Sequence, residues 1–165
     1  MTDVLYSLAE QIGRRLVASQ HKLVTAESCT GGWVAKCVTD VAGSSEWFDC
    51  GFVTYSNESK VRLLGVSNSV LDHHGAVSRE TVQQMAAGAL ASSQAQLAVA
   101  VSGIAGPGGK TADKPVGTVF FAWQLKGEPC HTEVHRFTGD RNAVRELAVK
   151  VVFEGILSIY DRGPR

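Results

Sequence analysis

The stretch "LAVAVSG", residues 97–103, constrains the fold more than any other. Leu97, Val99 and Val101 alternate with Ala98 and Ala100, so an extended chain here has no polar face. A strand that is apolar on both faces must be covered on both, which calls for helices above and below a largely parallel sheet. The flanking sequence supplies such helices. Leu5, Leu8, Ile12 and Leu16 recur at helical spacing and predict an amphipathic helix from about Asp3 to Ser19. "KLVTA" follows as a strand, and Val34, Cys37, Val38 and Val41 mark one face of a second helix whose N-terminus lies on "VTAESCTGGW" and which ends near Gly43. "GFVTYS" reads as a second strand, "NESKVRLLGV" as a short helix closed by Gly65, and "VLDHHGAVS" as a loop. Ser78 can cap a further helix that buries Val82, Met85, Ala86 and Leu90. "VGTVFFAWQL" and "PCHTEVHRFT" predict a hairpin through "KGEP", and a last helix runs from about Arg141 to Tyr160. The expectation is one α/β domain over residues 1–165, a three-layer α/β/α sandwich on a mixed sheet.

Charge and cysteine usage narrow the function. Lys plus Arg equals Asp plus Glu, at 16 each. No large field is available to gather a polyanion, so no nucleic acid partner is expected. The charged residues in "MTDVLYSLAEQIGRRL" break any secretory apolar run, and no apolar run is long enough for a membrane span. A cytoplasmic protein without a membrane partner is the expectation. Cys29, Cys37, Cys50 and Cys130 form no C-x-x-C pair and read as reduced thiols. His131, Glu133 and His135 alternate along a strand as one polar face, and no metal site is expected.

Ligands in open α/β sheets bind beyond the carboxyl ends of the strands. "ESCTGG", "YSNESK" and "SGIAGPGG" all follow predicted strands and can converge there. "GIAGPGGKT" resembles a phosphate-binding P-loop, but the position five before Gly109 is Ile104, not glycine, so the register fails. Its backbone still suits close approach to a smaller ligand. In "ESCTGG" the backbone N–H groups of Thr30, Gly31 and Gly32 stand at a helix start, where they could hold an oxyanion. Ser28 or Thr30 acting merely as a helix cap is the simpler account. For Ser28 as a nucleophile, no G-x-S-x-G and no triad histidine is available, since Ala26 and Thr30 occupy the glycine positions. Cys29 reads as an inert thiol facing the core. Lys60 and Tyr55 remain as groups able to take the serine proton, although an exposed helical lysine is the simpler reading of Lys60. A free lysine is only about one part in two thousand neutral at pH 7, so such a role demands a desolvated site.

"TAESCTGG", "GFVTYSNESK", "GAVS", "SGIAGPGG", "KPVGTVFFA" and "FTGDR", in that order along nearly the whole chain, resemble the CinA C-terminal domain family in its stand-alone form. The resemblance implies an anticodon-binding-domain-like α/β/α fold, a homodimer, and hydrolysis of the carboxamide of nicotinamide mononucleotide to nicotinate mononucleotide and ammonia. It implies catalysis by a serine with a lysine and a tyrosine, which carry over to Ser28, Lys60 and Tyr55, and it requires no cofactor or metal. Substrate contacts are expected from Thr30, Gly31 and Gly32, from Gly103, Ala105 and Gly106, and from Arg141 as a phosphate ligand. Glu27 could orient Lys60 or be structural. Larger proteins of the family carry a further N-terminal domain with a pyrophosphatase activity, and that activity is not expected here. Two other readings stand beside this one: a non-enzymatic binding module associated with competence and damage responses, and an amidase for another small carboxamide.

Overall fold

The computed structural model describes residues 3–161. In chain order the elements are α1 (Asp3–Ser19), β1 (Leu23–Glu27), α2 (Trp33–Thr39), β2 (Phe48–Val53), α3 (Asn57–Leu64), α4 (Asn68–His74), α5 (Arg79–Ala91), β3 (Leu97–Gly103), β4 (Thr118–Leu125), β5 (His131–Arg136) and α6 (Arg141–Asp161), with a short 3₁₀ turn at Ser44–Glu46 before β2. The five strands form one sheet in the order β2-β1-β3-β4-β5. β1 runs parallel to β2 and β3, whereas β4 and β5 are antiparallel, so the sheet is mixed.

The doubly apolar strand is in the middle of this sheet. Leu97, Val99 and Val101 pack with α1, α2 and α6, against Leu5, Ile12, Val38 and Phe153. Ala98 and Ala100 face the other way, against Val82, Met85 and Ala86 of α5 and Leu64 of α3. Alanines on that face let α5 lie close to the sheet. The packing continues between helices: a Cβ on Gly88 of α5 would run into the Leu64 carbonyl at the end of α3. α3, which carries Lys60, is thereby held tightly in the α5 layer.

Three expectations need correction. "VLDHHGAVS" is not all loop, because α4 occupies Asn68–His74. Ser67 caps it, accepting from the Val70 N–H at 3.2 Å, and Gly75 ends it. β2 covers Phe48–Val53 rather than 51–56, since Thr54 and Tyr55 form the link to Ser56, the N-cap of α3. α2 begins at Trp33 and not on Ser28 or Cys29, because Gly31 and Gly32 adopt φ of 63° and 94°, left-handed values outside a right-handed helix. Residues 28–32 are therefore a turn.

Candidate active site

β1 ends at Glu27 and delivers Ser28 at the carboxyl edge of the sheet, where the Ser28 N–H donates to the Val101 carbonyl of β3 at 3.0 Å. The parallel neighbour β2 ends at Val53, and the Thr54 N–H donates to the Glu27 carbonyl at 2.9 Å. Two adjacent strands thus finish level with each other. Ser56 then starts α3, and one turn later Lys60 points back across the strand ends. The Lys60 Nζ lies 3.1 Å from Ser28 Oγ, 2.7 Å from the Thr54 carbonyl and 3.4 Å from the Tyr55 carbonyl.

Lys60 is 0% exposed, the reverse of the solvated helical lysine that its sequence context suggests. Among the described residues no carboxylate pairs with it. Burial without a counter-ion disfavours the ammonium, and desolvation lowers the Lys60 pKa from the ordinary 10.5. A neutral amine can donate two N–H bonds to the Thr54 and Tyr55 carbonyls and turn its lone pair to the Ser28 hydroxyl. This arrangement suits a general base.

Glu27 has a different task. Its carboxylate accepts from Thr30 Oγ1 at 2.6 Å and from the N–H groups of Gly32, Val34 and Ala35 at 3.1, 3.0 and 2.9 Å. A buried acidic side chain from the strand end thus satisfies the N-terminal donors of α2. Glu27 is structural and does not touch Lys60. Glu27→Ala would leave two of these donors buried and two half-buried without a partner, and a stability loss of about 3 kcal/mol or more is expected from denaturant midpoints. A loss below about 1 kcal/mol would show that the cap is dispensable.

The same bonds change the oxyanion assignment. The Gly32 N–H is held by Glu27 and the Gly31 N–H by the Ser28 carbonyl at 3.0 Å, so neither is free for substrate. Among the described residues the N–H groups of Cys29 and Thr30 donate to no protein acceptor. Cys29 itself is buried, with its thiol pushed up to about 11, mainly by desolvation.

Ser28, Cys29, Tyr55, Lys60, Ser102, Gly103, Ala105 and Arg141 line one cavity of about 190 Å³, closed on the remaining side by Ala76 and Val77. Thr30, Gly31 and Gly32 lie outside its lining. Gly106 reaches it indirectly: its carbonyl accepts from Arg141 Nη1 at 2.8 Å. Arg141 Nη2 donates to the Tyr55 hydroxyl at 3.1 Å. Tyr55 is 63% exposed at the cavity rim, and its hydroxyl pairs with Arg141, whereas only its carbonyl meets Lys60. Ser102, which no sequence argument singled out, anchors the Ala76 carbonyl with its hydroxyl at 2.8 Å. Its position as the last side chain of β3 before Gly103 was the available signal. A larger cavity of about 540 Å³, between His21, Trp123, Glu128 and Tyr160, lies at the opposite end of the sheet and holds no comparable pairing of nucleophile and base. Among the described residues no cluster of His, Cys, Asp or Glu suits a metal ion, and no helix is long and apolar enough to cross a membrane.

A family model described as the CinA C-terminal domain matches residues 5–160. The chain belongs to the CinA C-terminal domain family. Within that family it is 54% identical over 149 residues to the nicotinamide-nucleotide amidohydrolase PncC of Escherichia coli strain K12, a match covering 90% of each chain. It is 47% identical to the protein of the same name from Pseudomonas putida, covering 95% of this chain and 98% of the relative. The crystal structure of the competence/damage inducible protein CihA from Agrobacterium tumefaciens superposes with a TM-score of 0.94 at 41% identity, over 96% of this CinA domain and 97% of that chain. The α/β fold on a mixed sheet is thus the CinA fold.

Proposed function

We propose that this CinA-family protein hydrolyses the carboxamide of nicotinamide mononucleotide, through an acyl-enzyme on Ser28. The observation that carries the reading is the buried, counter-ion-free Lys60 amine 3.1 Å from Ser28 Oγ. The substrate comes from the relatives that bear the nicotinamide-nucleotide amidohydrolase name and align over nine-tenths of the chain.

The steps follow from the geometry. Neutral Lys60 takes the hydroxyl proton as Ser28 Oγ adds to the amide carbon. The N–H group of Cys29, which lines the cavity, receives the negative oxygen, and a donor of this kind is commonly worth about 3 to 4 kcal/mol in the transition state. The Lys60 ammonium then returns a proton to the departing nitrogen, the C–N bond breaks and ammonia leaves. Water, deprotonated by the same amine, adds to the ester, and the resulting ammonium returns that proton to Ser28 Oγ as the C–O bond breaks and the carboxylate is released. Every proton moves through one nitrogen, so no metal is needed for the cycle.

Tyr55 acts in this scheme at the rim, as part of the Arg141–Tyr55 pair, and not as the proton relay. A cavity of about 190 Å³ accommodates the pyridinium carboxamide and leaves ribose and phosphate toward the mouth. Gly103 and Ala105 would lie along the ring and ribose, and the guanidinium edge of Arg141 that is free of Gly106 and Tyr55 would meet the phosphate. A cytoplasmic homodimer serving pyridine nucleotide recycling, without nucleic acid or membrane partners, completes the proposal.

The test is ammonia release by the purified protein, in chelator, from nicotinamide mononucleotide, nicotinamide riboside, nicotinamide and NAD. Turnover of the mononucleotide well above the other three is expected. No release from any of them would overturn the amidase reading, and preference for nicotinamide or the riboside would overturn the phosphate contact.

A further inference from the structure

We infer that Arg145 is the residue that aims the oxyanion donor at Cys29, an inference resting on the serine-amidase reading above. Arg145 lies on α6, one turn beyond Arg141, and comes to the nucleophile turn from 115 to 116 residues away in sequence. Its Nε donates to the Cys29 carbonyl at 3.0 Å and its Nη2 to the Thr30 carbonyl at 2.9 Å. The guanidinium also stacks on Trp33, 5.2 Å from the ring centroid. Two carbonyls and one aromatic face hold the fork in a single orientation.

The peptide geometry shows what that fork does. In a trans peptide the C=O and the N–H of one plane point in opposite directions. Drawing the Cys29 carbonyl toward α6 therefore turns the Thr30 N–H away from α6. Drawing the Thr30 carbonyl the same way sets the next plane, whose Gly31 N–H closes on the Ser28 carbonyl at 3.0 Å. That bond in turn fixes the Ser28–Cys29 plane and leaves the Cys29 N–H on the opposite side. Three successive planes are thus set by one side chain, and the Cys29 N–H, at the cavity wall and without a protein acceptor among the described residues, is the one left for substrate. The turn needs such a clamp, because Gly31 and Gly32 impose little conformational preference of their own.

Arg145 touches neither Ser28 Oγ nor Lys60, so its removal should leave the nucleophile and base in place. Its loss should act on the transition state alone. Steady-state kinetics on nicotinamide mononucleotide with the full chain should show kcat falling on the order of 10²-fold in Arg145→Met, with KM within about twofold. Arg145→Lys keeps the charge but not the fork and should fall in the same direction. A second probe separates aiming from mere bracing: the mononucleotide analogue with an aldehyde in place of the carboxamide, which Ser28 can add to. Its affinity should drop by the same factor as kcat/KM, while the affinity for nicotinate mononucleotide stays unchanged. Unchanged kcat in a folded variant, or equal weakening of both ligands, would overturn the inference. If Arg145→Met does not fold, Arg145→Lys decides by the same two criteria. Ser28→Ala measured alongside keeps the two ideas apart. Retained turnover there removes the serine reading itself, whereas an inactive Ser28→Ala with fully active Arg145 variants removes only the role of Arg145.

Discussion

Lys60→Met is expected to lower amide hydrolysis by about 10³- to 10⁴-fold, because one amine both takes the serine proton and protonates the leaving nitrogen. Lys60→Arg should be as inactive, since a guanidinium fills similar space but stays charged and cannot accept a proton. Activity within tenfold of wild type in either variant would mean that another group is the base. The pH dependence has a definite sign. Desolvation lowers the folded-state pKa of Lys60 below 10.5, so the active neutral form grows as pH rises, and kcat/KM should climb through an inflection below that value. The same shift links pH to stability. Between the lowered folded pKa and the ordinary value, the unfolded chain binds a proton that the native state does not. Stability therefore rises with pH across that window, and it is reduced below the folded pKa, where the native state must bury an ammonium. Denaturant titrations at several pH values should show this slope in wild type and lose it in Lys60→Met. A slope that persists unchanged in the variant would assign it to other groups.

Ser28→Ala is expected to remove turnover by about 10⁴-fold or more while the substrate still binds. The hydroxyl makes its close contact with Lys60, and the Ser28 N–H bond to Val101 survives the substitution, so the unfolding midpoint should move little. Calorimetry with nicotinamide mononucleotide on this variant should give a Kd near the wild-type KM. Mass spectrometry of wild type quenched during turnover should find the acyl adduct on Ser28, and Ser28→Ala should carry none. Turnover retained by Ser28→Ala and lost in Cys29→Ala would make the protein a thiol enzyme instead.

The layered fold was legible because β3 has to be covered on both faces, and the helical spacing around it names the covers. The serine was legible as a strand-end residue before paired glycines. The environment of Lys60 was not. "NESK" reads locally as a solvated helix start, and only the close seating of α3 against α5, with Gly88 under Leu64, pushes that side chain inward. Glu27 was similarly opaque, because a carboxylate on a strand gives no local sign that it will satisfy the helix after the following turn. Arg145 carries no signal near the nucleophile at all; its contacts exist only after α6 packs beside α2. α4 was hidden for a different reason. Its apolar content is low, the Ser67 cap lies outside the segment read as loop, and Gly75 within that segment serves a turn as well as a helix end.

Cys29 stands one residue from Ser28 and is buried as Ser28 is, but carries a thiol that stays protonated far above neutral pH. To a covalent reagent the two neighbours are therefore easily told apart. A haloacetamide, which needs a thiolate it can reach, passes this turn by and finds the half-buried Cys50 before it. An aldehyde or boronate, which takes an alkoxide, finds the hydroxyl that Lys60 faces, so labelling chemistry alone can mark the pocket without touching the sulfur beside it.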